Sequence, residues 1–133
     1  MQEMGICRPS KSNWASPLHV VVKKNGELRP CGDYRQLNAI TKPDRYPIPR
    51  VQDCTYLLHG KTIFSRIDMQ RAYHNIPIYE KDIPKTAIAC PFGLFEFLRL
   101  GFGFKNAAAI FQRFLNDEVL RDGDVKKEND FFL

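Results

Sequence analysis

The sequence predicts an α+β fold, a mainly antiparallel sheet with helices packed on it. Three observations carry this. Residues 18–24 are short and β-branched, break at Asn25-Gly26, and are answered by residues 27–34, which is a hairpin pattern. Residues 86–90 and 94–98 form a second pair across Pro91-Phe92-Gly93. Residues 48–59 and 106–120 space their apolar side chains as helices do.

Taken in order, residues 1–17 read as irregular, because Pro9, Ser10, Ser12, Asn13, Ser16 and Pro17 break any period. The first hairpin follows. Asn25-Gly26 suits a type I′ turn, whose two central residues need positive φ. Its tip is basic, with Lys23, Lys24 and Arg29. Pro43, Pro47 and Pro49 then make an extended connection. The helix over 48–59 places Val51, Cys54, Thr55 and Leu58 on one stripe and stops at Gly60. Residues 62–69 alternate as a strand that ends near Asp68, and residues 70–75 read as a helical turn. After the second hairpin, Gly101 and Gly103 mark a loop. Asn106 is the expected N-cap of the last helix, which buries Ile110, Phe111, Phe114, Leu115 and Val119. Seven of the ten residues 121–130 are charged, so residues 121–133 read as a disordered tail.

Composition narrows the function classes. Apolar residues make up 44 % of 133 and charged residues 26 %, which fits a soluble globular chain and excludes collagen-like or low-complexity types. No apolar run reaches the ~18 residues of a membrane span, and residues 1–11 lack a signal-peptide core. The expectation is an intracellular protein, cytoplasmic or nuclear, with no membrane partner. Residues 1–50 hold nine Lys/Arg and four Asp/Glu, a balance of +5, and residues 51–133 hold eleven of each. The whole net charge therefore sits in the first third, a modest footprint for a polyanion. Cys7, Cys31, Cys54 and Cys90 have neither zinc-knuckle nor disulfide-framework spacing and read as free thiols. His19, His59 and His74 are equally scattered.

Six strings stand in fixed order: Arg29-Pro-Cys-Gly-Asp-Tyr-Arg-Gln-Leu-Asn38, Asp44-Arg-Tyr-Pro-Ile-Pro49, Ile67-Asp-Met-Gln-Arg-Ala-Tyr-His-Asn-Ile-Pro77, Lys85-Thr-Ala87, Pro91-Phe-Gly-Leu-Phe-Glu-Phe97 and Phe111-Gln-Arg113. Together they resemble the reverse transcriptase of gypsy-type LTR retrotransposons, over residues 5–121. The resemblance implies a right-hand polymerase fold, with fingers in residues 1–60 and a partial palm in 61–120. It implies deoxynucleotidyl transfer on an RNA or DNA template–primer, with two Mg²⁺ ions as cofactor. By the same resemblance Asp68 is the first metal-binding carboxylate, and Met69 lends a backbone carbonyl. Tyr73 is the gate against a ribose 2′-hydroxyl. Lys24 and Arg29 grip the triphosphate of the incoming deoxynucleotide, Lys as a point charge and Arg as a planar fork. Phe102 lines the nucleotide pocket.

The sequence departs from that family in ways that matter. The Tyr-x-Asp-Asp hairpin that would bring two more metal-binding carboxylates is replaced by Asp122-Gly-Asp-Val-Lys-Lys-Glu-Asn-Asp-Phe-Phe-Leu133. Gly101 and Ala108 stand where the family carries Pro, and Phe104 where it carries Leu. One carboxylate does not position two divalent ions, so the chain by itself is expected not to polymerise DNA. The alternatives are a non-catalytic RNA- or DNA-binding remnant and the product of a decayed element with no biochemical function. A palm without that hairpin also leaves a sheet edge open, so low stability is expected.

Overall fold

The hairpin is the longest regular pairing among the described residues. In the computed structural model, which describes residues 1–64, 66 and 68–119, strand β2 (Ser16–Val22) runs antiparallel to β3 (Leu28–Gly32). Leu18 faces Gly32 and Val22 faces Leu28. The turn is not the two-residue type I′ expected. The Lys23 N–H donates to the Glu27 carbonyl (2.8 Å) and the Gly26 N–H to the Lys23 carbonyl (2.9 Å). Only Gly26 takes a positive φ (+81°), while Asn25 keeps the ordinary sign. This is a three-residue loop closed by a left-handed glycine, the other common hairpin solution. The Asn25 side chain accepts the Glu27 N–H instead, so it stabilises the turn without entering the strained region. Pro30 fits because β3 is an edge strand and needs no outward N–H.

Two further strands come from distant sequence. β4 (Ile88–Cys90) pairs with β5 (Gly93–Phe97) as the second expected hairpin. β1 (Cys7–Pro9) pairs antiparallel with β5, although residues 1–17 gave no strand signal. Glu96 explains the pairing. Its buried carboxylate accepts from Arg8 Nε (2.7 Å) and Ser10 Oγ (2.6 Å), so β1 and the residue after it supply the donors that a buried carboxylate demands. β2 and β4 join in parallel, which makes one five-stranded mixed sheet of order β1-β5-β4-β2-β3. The expected antiparallel pairings dominate, and the sheet combines residues from both sides of position 60.

Helices differ more from expectation. α1 (Arg35–Ile40) was not signalled, being six residues long; it is held by the buried Leu37. The helix expected over 48–59 is α2 (Val51–Leu58), and Val51, Thr55 and Leu58 of its expected stripe are exposed. The strand expected over 62–69 is corrected among the described residues. None of 62–64, 66, 68 and 69 is in a strand, and Ile63 is 90 % exposed. A strand needs a ladder partner, and no described segment offers one there. Residues 65 and 67, and the tail, lie outside the described residues. Ala72–Asn75 is a 3-10 turn, close to the expected helical turn, and a second 3-10 turn (Ile83–Thr86) takes Thr86 out of the expected strand. α3 (Ala107–Phe114) continues as a π-helical turn, Leu115–Val119. Asn106 precedes α3 but makes no side-chain cap. Its amide accepts the Asp44 N–H (3.0 Å) and donates to the Lys42 carbonyl (2.9 Å), pinning the proline-rich connection instead.

The core joins the hairpin base to the second half of the chain. Tyr34, Leu37, Ile76, Ile88, Leu100, Phe104, Ala107 and Ile110 form one buried cluster. The Tyr34 hydroxyl donates to the Thr86 carbonyl (2.8 Å). Beyond β5 the chain continues beside residues 76–78, with Ile78 N–H to Leu98 carbonyl (3.0 Å) and Leu100 N–H to Ile76 carbonyl (2.9 Å). That pairing brings Tyr73 and His74 next to the loop at Gly101–Gly103.

Candidate nucleotide-facing site

Hairpin and loop meet across a basic, aromatic cavity of about 210 Å³. β3 contributes Arg29 and Cys31, two residues apart and so on one face of the strand. The loop contributes Phe102 and Phe104, the 3-10 turn contributes His74, and Lys23 stands at the hairpin end. The Arg29 guanidinium carbon lies 5.3 Å from the centre of the Phe102 ring. Phe102 meets Tyr73 edge-on at 5.0 Å, and Tyr73 meets Phe111 edge-on at 5.3 Å. Such pairs follow the ring quadrupole, which sets a positive edge or a cation against a negative face. Three of the residues expected from sequence, Arg29, Phe102 and Tyr73, are thus in one contact chain.

The others stand apart. Lys24 is exposed at the hairpin turn and does not line the cavity. Its neighbour Lys23 does, and pairs with Glu27 at 2.6 Å. The Lys23 ammonium donates to Glu27 and holds that carboxyl below the usual range. Asp68 is exposed and Met69 half-buried. Arg71, between Asp68 and Tyr73, takes a left-handed φ of +51°, the one non-glycine to do so among the described residues. Its guanidinium reaches Met4 Sδ.

Among the described residues no three His, Cys, Asp or Glu side chains gather into a group able to hold an ion. Asp68 with one backbone carbonyl is a single hard-oxygen arm, whereas Mg²⁺ sites draw on more carboxylate or phosphate oxygens. The described residues do not by themselves fit a two-ion centre.

His74, Cys31, Lys23 and Tyr34 were not singled out by sequence as cavity residues. For Cys31 the signal was available, since it alternates with Arg29 on a predicted strand. His74 Nδ1 is 3.0 Å from the Leu100 carbonyl. A carbonyl only accepts, so Nδ1 carries the proton. Burial pushes the Tyr34 phenol well above its ordinary range.

Fold and site together define a mixed-sheet domain with a basic hairpin closing over an aromatic loop. Residues 21–127 match the reverse transcriptase (RNA-dependent DNA polymerase) family, and the chain belongs to it. It is 46 % identical over 123 residues to the Retrovirus-related Pol polyprotein from transposon opus of Drosophila melanogaster, covering 89 % of this chain and 12 % of that one. It is 40 % identical over 125 residues to the Transposon Tf2-7 polyprotein of Schizosaccharomyces pombe, covering 94 % and 9 %. The chain thus spans about a tenth of the length of these relatives. Among solved structures it is similar to the foamy viral protease-reverse transcriptase in complex with dsDNA, with a TM-score of 0.72 and 21 % identity, covering 91 % of this chain and 25 % of that one. The same viral protein in complex with an RNA/DNA hybrid gives a TM-score of 0.70 at 21 % identity, covering 93 % and 17 %. These likenesses show that the chain has the fold of the corresponding part of a reverse transcriptase.

Proposed function

We propose that the chain is the nucleotide-facing part of a gypsy-type retrotransposon reverse transcriptase, with residues 1–60 as fingers and 61–120 as the first part of the palm. One observation carries the reading: Arg29, Phe102 and Tyr73, drawn from three separate stretches of sequence, form one contact chain, in which Arg29 and Phe102 line the cavity and Tyr73 stands against Phe102. In this reading Arg29 and Lys24 receive the triphosphate. Arg29 contributes a flat fork of N–H donors, and Phe102 beneath it limits where that fork points. Tyr73, wedged between Phe102 and Phe111, limits the room at the sugar. Asp68 and the Met69 carbonyl are a partial share of a Mg²⁺ site. The 133 residues contain no Tyr-x-Asp-Asp string, so the chain by itself binds a deoxynucleotide without extending a primer. An intracellular setting, cytoplasmic or nuclear, belongs to the same reading.

Two assays on the full chain test it. Titration with dATP should show binding that weakens in Arg29→Ala, and equal affinity in that variant would remove the assignment. Primer extension on a defined template should show no product. Robust Mg²⁺-dependent incorporation that vanishes in Asp68→Ala would overturn the inactivity.

A second reading, a non-catalytic nucleic-acid binder, is favoured by the dsDNA and RNA/DNA hybrid held by the viral structures of the same fold. Retention of a template–primer in a gel shift should fall steeply with salt, because phosphate contacts release counterions. Binding indifferent to salt would count against it.

A further inference from the structure

The loop that carries Phe102 has no regular structure of its own. Gly101 and Gly103 flank Phe102, and Gly103 takes a φ of +96°. Phe104 is fixed by stacking on Tyr34, with ring centres 4.2 Å apart. Phe102 is half exposed, and its placement depends on what holds the backbone beside it.

That holder is Asn38, in α1. Its Nδ2 donates to the Gly103 carbonyl (2.7 Å), and its Oδ1 accepts the Lys105 N–H (2.8 Å). One amide therefore clamps the loop on both sides of Phe104. Lys105 returns the contact, its ammonium donating to the Asn38 carbonyl (3.2 Å) and the Thr41 carbonyl (2.8 Å) at the end of α1. Those carbonyls lie at a helix C-terminus, where they lack intrahelical partners and a cation is favoured. The clamp needs a donor and an acceptor on one short side chain, which of the natural residues of this length only Asn supplies. Asp would keep the acceptor, lose the donor and set a charge against the Gly103 carbonyl.

We infer that Asn38 is a positioning residue: it fixes the loop so that the Phe102 ring is presented to Arg29 on one side and Tyr73 on the other. Asn38 need not touch the nucleotide to act. Only the consequence for nucleotide affinity rests on the proposed function; the positioning itself is a property of the free chain.

The test uses the full chain, Asn38→Ala and Asn38→Asp. The first readout is the NMR frequency of the Arg29 side-chain protons, which the Phe102 ring current displaces; Phe102→Leu sets the undisplaced value. Both Asn38 variants should move the Arg29 signals toward the Phe102→Leu value, while the Ile88 and Ile110 methyl signals of the core hold their positions. A merely structural Asn38 would move the core signals equally, and that result overturns the inference. So do Arg29 signals that stay displaced in whichever variant folds. The second readout is dATP affinity, expected to fall about tenfold in Asn38→Ala. If the wild-type chain does not bind dATP, the nucleotide reading fails while the Arg29 result still decides the positioning.

Discussion

The Arg29 guanidinium rests over the Phe102 ring at 5.3 Å, joining the basic hairpin to a loop more than seventy residues later in the chain. Both partners are on the surface side of the cavity, so the contact is worth about 0.5–1 kcal/mol. A double-mutant cycle with Arg29→Ala and Phe102→Leu, read by urea unfolding, should return a coupling of about that size. Strictly additive losses would mean that the two side chains are merely near one another.

Gly103 is the next weak point of the same loop. Its φ of +96° is one that side-chain-bearing residues rarely adopt. An added Cβ would lie 3.4 Å from the Tyr34 ring and 3.5 Å from the Gly32 carbonyl. Gly103→Ala is expected to cost about 1–3 kcal/mol and to loosen the Tyr34–Phe104 stack. A denaturation midpoint equal to wild type would refute this.

Local pattern made the two hairpins legible, because their turn residues and β-branched runs sit within a few positions of each other. β1 was not legible. Cys7-Arg8-Pro9 is too short to have a period, and it is a strand through its ladder with distant β5, reinforced by Arg8 and Ser10 on Glu96. The type I′ turn failed for a related reason. Asn25-Gly26 permits that turn, but the Asn25 amide found the Glu27 N–H and Gly26 alone bore the left-handed conformation. At the site, Arg29, Tyr73 and Phe102 came from resemblance, and the structure joined them. Asn38 could not be reached that way, since nothing local announces that its amide would meet residues 103 and 105.

Tyr34 gives a pH dependence with a definite sign. Its phenol is buried, which disfavours the phenolate and raises the folded value above the ordinary 10.0. Above pH 10 the unfolded chain loses this proton and the folded chain keeps it. The unfolded state then binds fewer protons, and stability falls as pH rises. Tyr34→Phe should remove this one-proton component of alkaline destabilisation. The same change deletes the hydrogen bond to the Thr86 carbonyl, at a cost of about 1 kcal/mol near neutrality. Unfolding free energies measured at pH 7 and at several values above 10 separate the two effects. An unchanged alkaline slope in the variant would contradict the assignment.

Arg8 and Glu96 test how β1 is held. Arg8 is half exposed, so its direct ionic contribution is small. The loss in Arg8→Ala falls on Glu96, whose buried carboxylate would keep only Ser10 of these two donors. The expected destabilisation is about 1–3 kcal/mol, with faster amide exchange at Leu98, whose N–H is held by the Ile6 carbonyl beside β1. Replacement of both residues, Arg8→Met with Glu96→Leu, should recover much of the loss, because it removes the buried charge along with its partner. A double variant weaker than Arg8→Ala would show that the pair contributes more than its desolvation costs.

Two apolar positions, Val51 and Ile110, look alike in sequence. Val51 opens the stripe of α2 and Ile110 lies on the stripe of α3. Val51 is 80 % exposed, whereas Ile110 is 1 % exposed within the main cluster. Ile110→Ala removes buried methyl groups and leaves a cavity, for an expected loss of about 2–5 kcal/mol. Val51→Ala removes atoms already in water and should change stability by less than about 0.5 kcal/mol. Helical periodicity is the same in both cases. What separates them is a partner: α3 meets the hairpin base and Leu100, while α2 presents Val51 and Leu58 outward. Paired urea titrations of the two variants measure this directly, and equal losses would mean that the α2 face is covered in solution.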